Sequence, residues 1–283
     1  MEGAPGERDT RAERPSWSWE VGTLFGVAIR IHVTFVVLLA WIALSHVALG
    51  HGGRVAMFDL ALMVSVFAVI VLHELSHALT ARSFGIRTRS ITLLPIGGVA
   101  SLERMPDKPT QELLVAVAGP LVNVAIAALI FLGLSAAGVP PTADELAAPG
   151  AFYAAKLFYI NLSLAAFNLL PAFPLDGGRV LRAALALRVD RVRATEIAAR
   201  IGRGMAVLLG IVGLLVNPML VLIAVFVWLG AGAEAGAEKM RSLLADLPVR
   251  SATASDMRPV SPEDDLASVA RVAIERAQHD FPV

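Results

Sequence analysis

Apolar and polar positions along the chain segregate into long blocks rather than alternating with a short period. Six apolar stretches stand out, at about residues 31–50, 57–81, 111–134, 152–173, 197–216 and 218–236. Each is close to the roughly 20 residues a helix needs to cross a bilayer core of about 30 Å, so the pattern predicts an all-α polytopic membrane protein with about six transmembrane helices. Only Asn217-Pro218 separates the last two stretches, and a single kinked span is the alternative there. Residues 91–101 are apolar but short and interrupted by Pro95, Gly97 and Gly98, which predicts a re-entrant or extended segment. Such a segment could add an unwound chain as an extra strand, or lie at the interface as a loop. The fourth stretch runs into Asn168-Leu169-Leu170-Pro171-Ala172-Phe173-Pro174-Leu175-Asp176-Gly177-Gly178-Arg179. Its prolines and glycines break a helix, and broken backbone at membrane depth is tolerated only where protein buries it or it lines a wet cavity.

Charge gives these blocks an orientation. The clusters Arg82 to Arg89, Arg104 to Lys108 and Arg179 to Arg193 fall on one side, and little beyond Arg54 and Lys156 falls on the other. By the positive-inside rule both termini are expected in the cytoplasm, on a multi-pass protein of the cell membrane with an even number of spans. Trp17 and Trp19 read as interfacial anchors, and the first 22 residues, charged and without an apolar core, are not expected to be a cleaved signal peptide. After Gly236 the composition turns soluble. The expected organisation is a cytoplasmic segment at 1–22, a membrane domain at 23–240 with its core at about 57–185, and a linker with a soluble module at 241–283.

Composition agrees, with 56% hydrophobic and 17% charged residues and a mean hydropathy of +0.68. A net charge of zero offers no basic excess for nucleic acid, and the absence of cysteine removes disulfides and thiolate metal sites. Histidine, aspartate and glutamate are left as ligands.

The second stretch contains His73-Glu74-Leu75-Ser76-His77, an HExxH motif. Residues four apart leave a helix on the same face, so both imidazoles can hold one Zn²⁺, with Glu74 beside them to take a proton from water. Ionisable groups at this depth are costly and mark function by default. The third ligand is sought at the same depth, and Asp176 meets that condition. His77 lies five residues before Arg82 and Asp176 three before Arg179, which puts both about 5–10 Å in from the cytoplasmic flank at ~1.5 Å per residue. A helix-ending turn with a solvated aspartate is the alternative. Asn123 and Asn168 form the candidate substrate and oxyanion set; interhelical packing near the site is the first reading for Asn123, and an electrophilic donor for Asn168. His32 reads as a capping or snorkelling residue, and His46, His51 and His279 as solvated.

A membrane-embedded HExxH followed about 100 residues later by NxxPxxPLDGG resembles the site-2 protease family of intramembrane zinc metalloproteases. The resemblance covers about residues 30–236 and is also carried by Ile31-His32, Pro95-Ile96-Gly97-Gly98-Val99-Ala100 and Ala118-Gly119-Pro120-Leu121-Val122-Asn123. It implies a three-span catalytic core that cuts membrane-protein substrates in or near their transmembrane segments, as in regulated intramembrane proteolysis. One Zn²⁺ per chain would be held by His73, His77 and Asp176, with Glu74 as base and Asn168 helping to bind or polarise the substrate carbonyl. In the tail, Ala254-Ser255-Asp256-Met257-Arg258, Pro262, Leu266 and Phe281-Pro282-Val283 resemble the opening of an α/β CBS module, as in the branch of the family with cytoplasmic CBS domains. A complete module would bind an adenine nucleotide. The chain is expected to end inside it, as a truncated form or partial gene product, with a simple amphipathic tail as the alternative. The implied partners are a transmembrane protein substrate, the lipid bilayer and that nucleotide, with no nucleic acid. The rival class is a membrane metal-ion transporter using the same cluster as a transit site. It predicts ligands at several depths, and the outer halves of the spans offer almost none. A catalytically dead binding protein would be expected to lose Glu74.

Overall fold

The computed structural model describes residues 17–142, 153–245 and 259–276. Helices dominate, but a four-stranded sheet is woven among them, which corrects the all-α expectation. Strands β1 (Ser18–Leu24) and β2 (Val27–His32) form an antiparallel hairpin that turns at Phe25-Gly26, where φ is 50° and 82°. Strand β3 (Thr88–Leu94) lies parallel to β2, with Ala28 opposite Ser90 and Ile31 opposite Leu93. Strand β4 (Gly97–Leu102) pairs antiparallel to β3 and is a free edge of the sheet. Residues 91–101 are thus the turn and inner halves of a hairpin. One face of the sheet is buried: Val27, Ile29, Ile91 and Leu93 pack on Phe35, Phe67, Val71 and Leu75.

Helices α1 (Val33–Ala48) and α2 (Gly53–Ser83) make the crossover that parallel strands require. The end of α2 is encoded locally. Gly85 adopts φ 75°, its N–H donates to the Arg82 carbonyl, and the Ile86 N–H donates to the Ala81 carbonyl. This is a Schellman cap, completed by apolar contact among Ala81, Ile86 and Val115. Next come α3 (Pro109–Ala136), α4 (Tyr153–Asn168), α5 (Asp176–Ala186), α6 (Arg191–Leu215), α7 (Met219–Ala245) and α8 (Leu266–Arg276). The chain divides into two compact units, Met1–Ala235 and Gly236–Val283.

Four helices, α2, α3, α6 and α7, are long and apolar enough to cross a membrane, so the protein is multi-pass. The other two expected spans correspond to α1 and α4, which have 16 described residues each. At ~1.5 Å per residue that is about 24 Å, short of the ~30 Å hydrocarbon core. Helices α6 and α7 are separate, since Pro218 has no N–H to continue a ladder and Asn217 Oδ1 accepts from the Met219 N–H at 3.0 Å to start a new one. The fourth stretch breaks after Asn168, as its prolines require, and the chain becomes helical again at Asp176, which the sequence pattern did not predict.

Candidate metal centre

His73 and His77 leave the same face of α2, their rings edge to face with centroids 4.8 Å apart. The first turn of α5 brings Asp176 onto them. His73 Nε2 and His77 Nε2 are 3.1 Å apart, and Asp176 Oδ2 lies 3.1 Å from the first and 3.2 Å from the second. All three residues are buried, and theirs is the one cluster among the described residues that could hold a metal ion through three such side chains.

The other ring nitrogens determine what this triangle needs. His77 Nδ1–H donates to the Val115 carbonyl at 2.6 Å, and His73 Nδ1–H donates to Asn123 Oδ1 at 2.9 Å. Both Nε2 atoms of the neutral rings therefore turn lone pairs toward the aspartate oxygen. Three acceptors in mutual contact repel unless a cation or extra protons lie between them. Ligands about 2.0–2.1 Å from a tetrahedral zinc are about 3.3 Å apart, so the observed edges suit that ion, and neutral histidine oriented through its other nitrogen is the usual ligand form.

Helix α3 supplies this support. Besides Val115 and Asn123 it brings Gly119 against the rings, where a Cβ would stand 2.3 Å from His77 Nε2 and 2.5 Å from His73 Nε2. Asn123, expected in the substrate and oxyanion set, is fully buried with its oxygen accepting from His73, and it borders the cavity that Glu74 also lines. Glu74 lies one residue along α2, beside β4, where a Cβ on Gly98 would stand 2.7 Å from its Cγ. His73, Glu74, His77, Asp176, Asn168 and β4 residues Gly97 to Ala100 all line one cavity of about 710 Å³. Asn168 ends α4 half-buried on this cavity, with no hydrogen bond to its amide among the described residues.

Sequence reasoning missed the ion network beside the site. Arg182 is buried on α5. Its Nε donates to Glu112 Oε1 at 2.7 Å and its Nη1 to Glu234 Oε1 at 2.5 Å, while Glu112 Oε2 lies 3.2 Å from Arg191 Nη1. A charged residue opening an apolar span, as Glu112 does, was the available signal. The remaining histidines lie outside the centre. His32 is the N-cap of α1, its Nδ1 accepting from the Thr34 N–H. His46 is not simply solvated: it pairs with His51 at 3.0 Å and with Asp59 at 3.1 Å. His279 lies outside the described residues.

The sequence model of Peptidase family M50 matches residues 61–150 and 142–209. A zinc metalloprotease of Methanocaldococcus jannaschii is 30% identical over 274 residues, covering 95% of this chain and 75% of that protein. Rip3 of Mycobacterium tuberculosis is 35% identical over 204 residues, and there the chain spans half of the relative's length, with 69% of this chain covered. Among solved structures, the site-2 protease from Methanocaldococcus jannaschii superposes with a TM-score of 0.55 at 33% identity, covering 77% of this chain and 95% of that one.

Proposed function

Because the chain belongs to Peptidase family M50 and is an intramembrane zinc metalloprotease, we propose that it hydrolyses peptide bonds in or near transmembrane segments of membrane proteins, using His73, His77 and Asp176 to hold one Zn²⁺ and Glu74 as base. The observation that carries this reading is the triangle of lone pairs from His73, His77 and Asp176, with Glu74 on the same cavity. Zinc, when bound, supplies Lewis acidity toward water and the substrate carbonyl. Glu74 takes a proton from the attacking water and passes it to the departing amine. Asn168 donates its amide to the oxygen that gains charge.

The substrate must present extended backbone, because a transmembrane helix keeps its carbonyls in its own hydrogen bonds. Strand β4 suits this need. It is a free sheet edge, lines the cavity and passes Glu74 at Gly98, so a segment added to it as a fifth strand runs alongside the base. Ion transit is not favoured, since the donors converge on one site and no second such cluster lies among the described residues.

Both termini are placed in the cytoplasm on the basis of the arginine clusters. The tail is read as the opening of a CBS module, whose complete form would bind an adenine nucleotide and regulate cleavage; Ala254 to Arg258 and Phe281 to Val283 lie outside the described residues. ATP should then change cleavage by the complete protein and not by a form ending near Leu247, and equal responses would exclude regulation through the tail. The catalytic reading is tested by metal analysis of purified wild type and Asp176→Ala. One zinc per wild-type chain and loss of zinc and cleavage together in the variant are expected; full zinc in Asp176→Ala would remove Asp176 from the ligand set.

A further inference from the structure

Helix α7 grips the segment that carries Asp176 at successive turns of its own length. At Gly230 it lies so close to Pro174 that a Cβ would stand 2.5 Å from the proline Cδ. Ala231 packs with Phe173 in a buried cluster. One turn after Gly230, Glu234 accepts from Arg182 at 2.5 Å. Arg182 also lies over the Phe173 ring, 5.1 Å from its centroid, and reaches Glu112 of α3 through Nε.

Segment 169–175 and α5 act as one body. A Cβ on Gly177 would stand 2.2 Å from the Leu170 carbonyl oxygen, and one on Gly178 2.6 Å from the Phe173 nitrogen. With the first turn of α5 nested this tightly, Asp176 cannot shift without the loop and α5 moving together. Helix α3, at the other end of the ion network, holds both histidines through Val115, Asn123 and Gly119. Two parts of the metal centre thus sit on separate bodies, the histidine supports on α3 and the aspartate on α5. Among the described side chains, one buried guanidinium bonds α3, α5 and α7 together.

We propose that Arg182 is a positioning residue of the metal centre: by holding Glu112 and Glu234 at once, it sets where α5 presents the Asp176 carboxylate to His73 and His77, and it makes that placement depend on α7. Arginine suits the role because its planar fork can serve two carboxylates in fixed directions, whereas a lysine ammonium is a point charge without that fork. Glu234 is the arm through which α7 is read, and it can be changed without leaving Arg182 alone, because the buried guanidinium keeps Glu112. A shift of α7 then acts on the metal site through α5. The inference rests on His73, His77 and Asp176 being the zinc ligands.

The test uses the intact protein with cobalt(II) in place of zinc, so that visible absorption reports ligand geometry, together with the rate at which bound zinc passes to a chelator. Glu234→Ala is expected to keep one metal per chain, to change the cobalt bands, and to lose zinc about tenfold faster, the scale seen when groups that orient metal ligands are removed. Glu234→Gln, which can still accept from Arg182 Nη1, should stay within about twofold of wild type by the same measure. Arg182→Lys, whose ammonium lacks the fixed fork that aims at both carboxylates, should reproduce the Glu234→Ala spectrum and keeps the question answerable if Glu234→Ala does not fold. A brace that only stabilises the fold would lower the melting temperature and leave the cobalt bands unchanged. Wild-type bands and zinc-loss rates in Glu234→Ala, or in Arg182→Lys should the former not fold, would overturn the proposal. A wild-type protein that binds no metal, or an Asp176→Ala protein that binds it fully, would instead overturn the zinc reading on which it rests.

Discussion

Gly119 of α3 lies directly against His77 of α2, so close that a Cβ on it would stand 2.3 Å from Nε2. The closeness has a purpose in the geometry: the histidines are clamped between α3 and Asp176, and any side chain at 119 enters the space their lone pairs occupy. Gly119→Ala should therefore push the rings off the aspartate, costing about 1–3 kcal/mol of stability as overpacking and abolishing stoichiometric zinc binding. Thermal melts with metal analysis check this, and a fully metallated alanine variant would mean that α3 moves aside freely.

Asn123 lies one helical turn beyond Gly119 and accepts from His73 Nδ1–H. Asn123→Ala should weaken zinc affinity by about 10–100-fold, because the ring loses the partner that fixes its tautomer. Competition with a chelator measures it. Unchanged affinity with slowed turnover would return Asn123 to the substrate set.

Asn168 should behave in the opposite way. Its amide lines the cavity without contacting His73, His77 or Asp176, so Asn168→Ala should hold zinc as wild type does while kcat falls on the order of a hundredfold, the cost of one oxyanion donor. Loss of metal in that variant would make Asn168 structural.

How far the sequence led depends on whether a feature is local. HExxH was legible because helical spacing alone places His73 and His77 on one face, and Asp176 because prolines and glycines at membrane depth must line something. The break at Asn217-Pro218 is local as well. The sheet was not legible: Glu20 and Arg30 make its first two strands look like a charged flank, and β2 finds its partner β3 only after the crossover through α1 and α2. The position of Asn123 depends on a contact 50 residues away, and the Glu112–Arg182–Glu234 network joins three helices whose packing no periodicity encodes. Four of the six expected spans have helices long and apolar enough among the described residues, and the fourth stretch is broken by a turn after Asn168.

The central claim is that Glu74 performs the proton transfers while three other residues hold the metal, and it is tested most directly by measuring zinc content and cleavage together on Glu74→Gln. The amide keeps the size of the side chain beside Gly98 and removes only its basicity. The account predicts one zinc per chain, as in wild type, with cleavage of a membrane-protein substrate abolished. Cleavage at the wild-type rate by the zinc-loaded variant would contradict it.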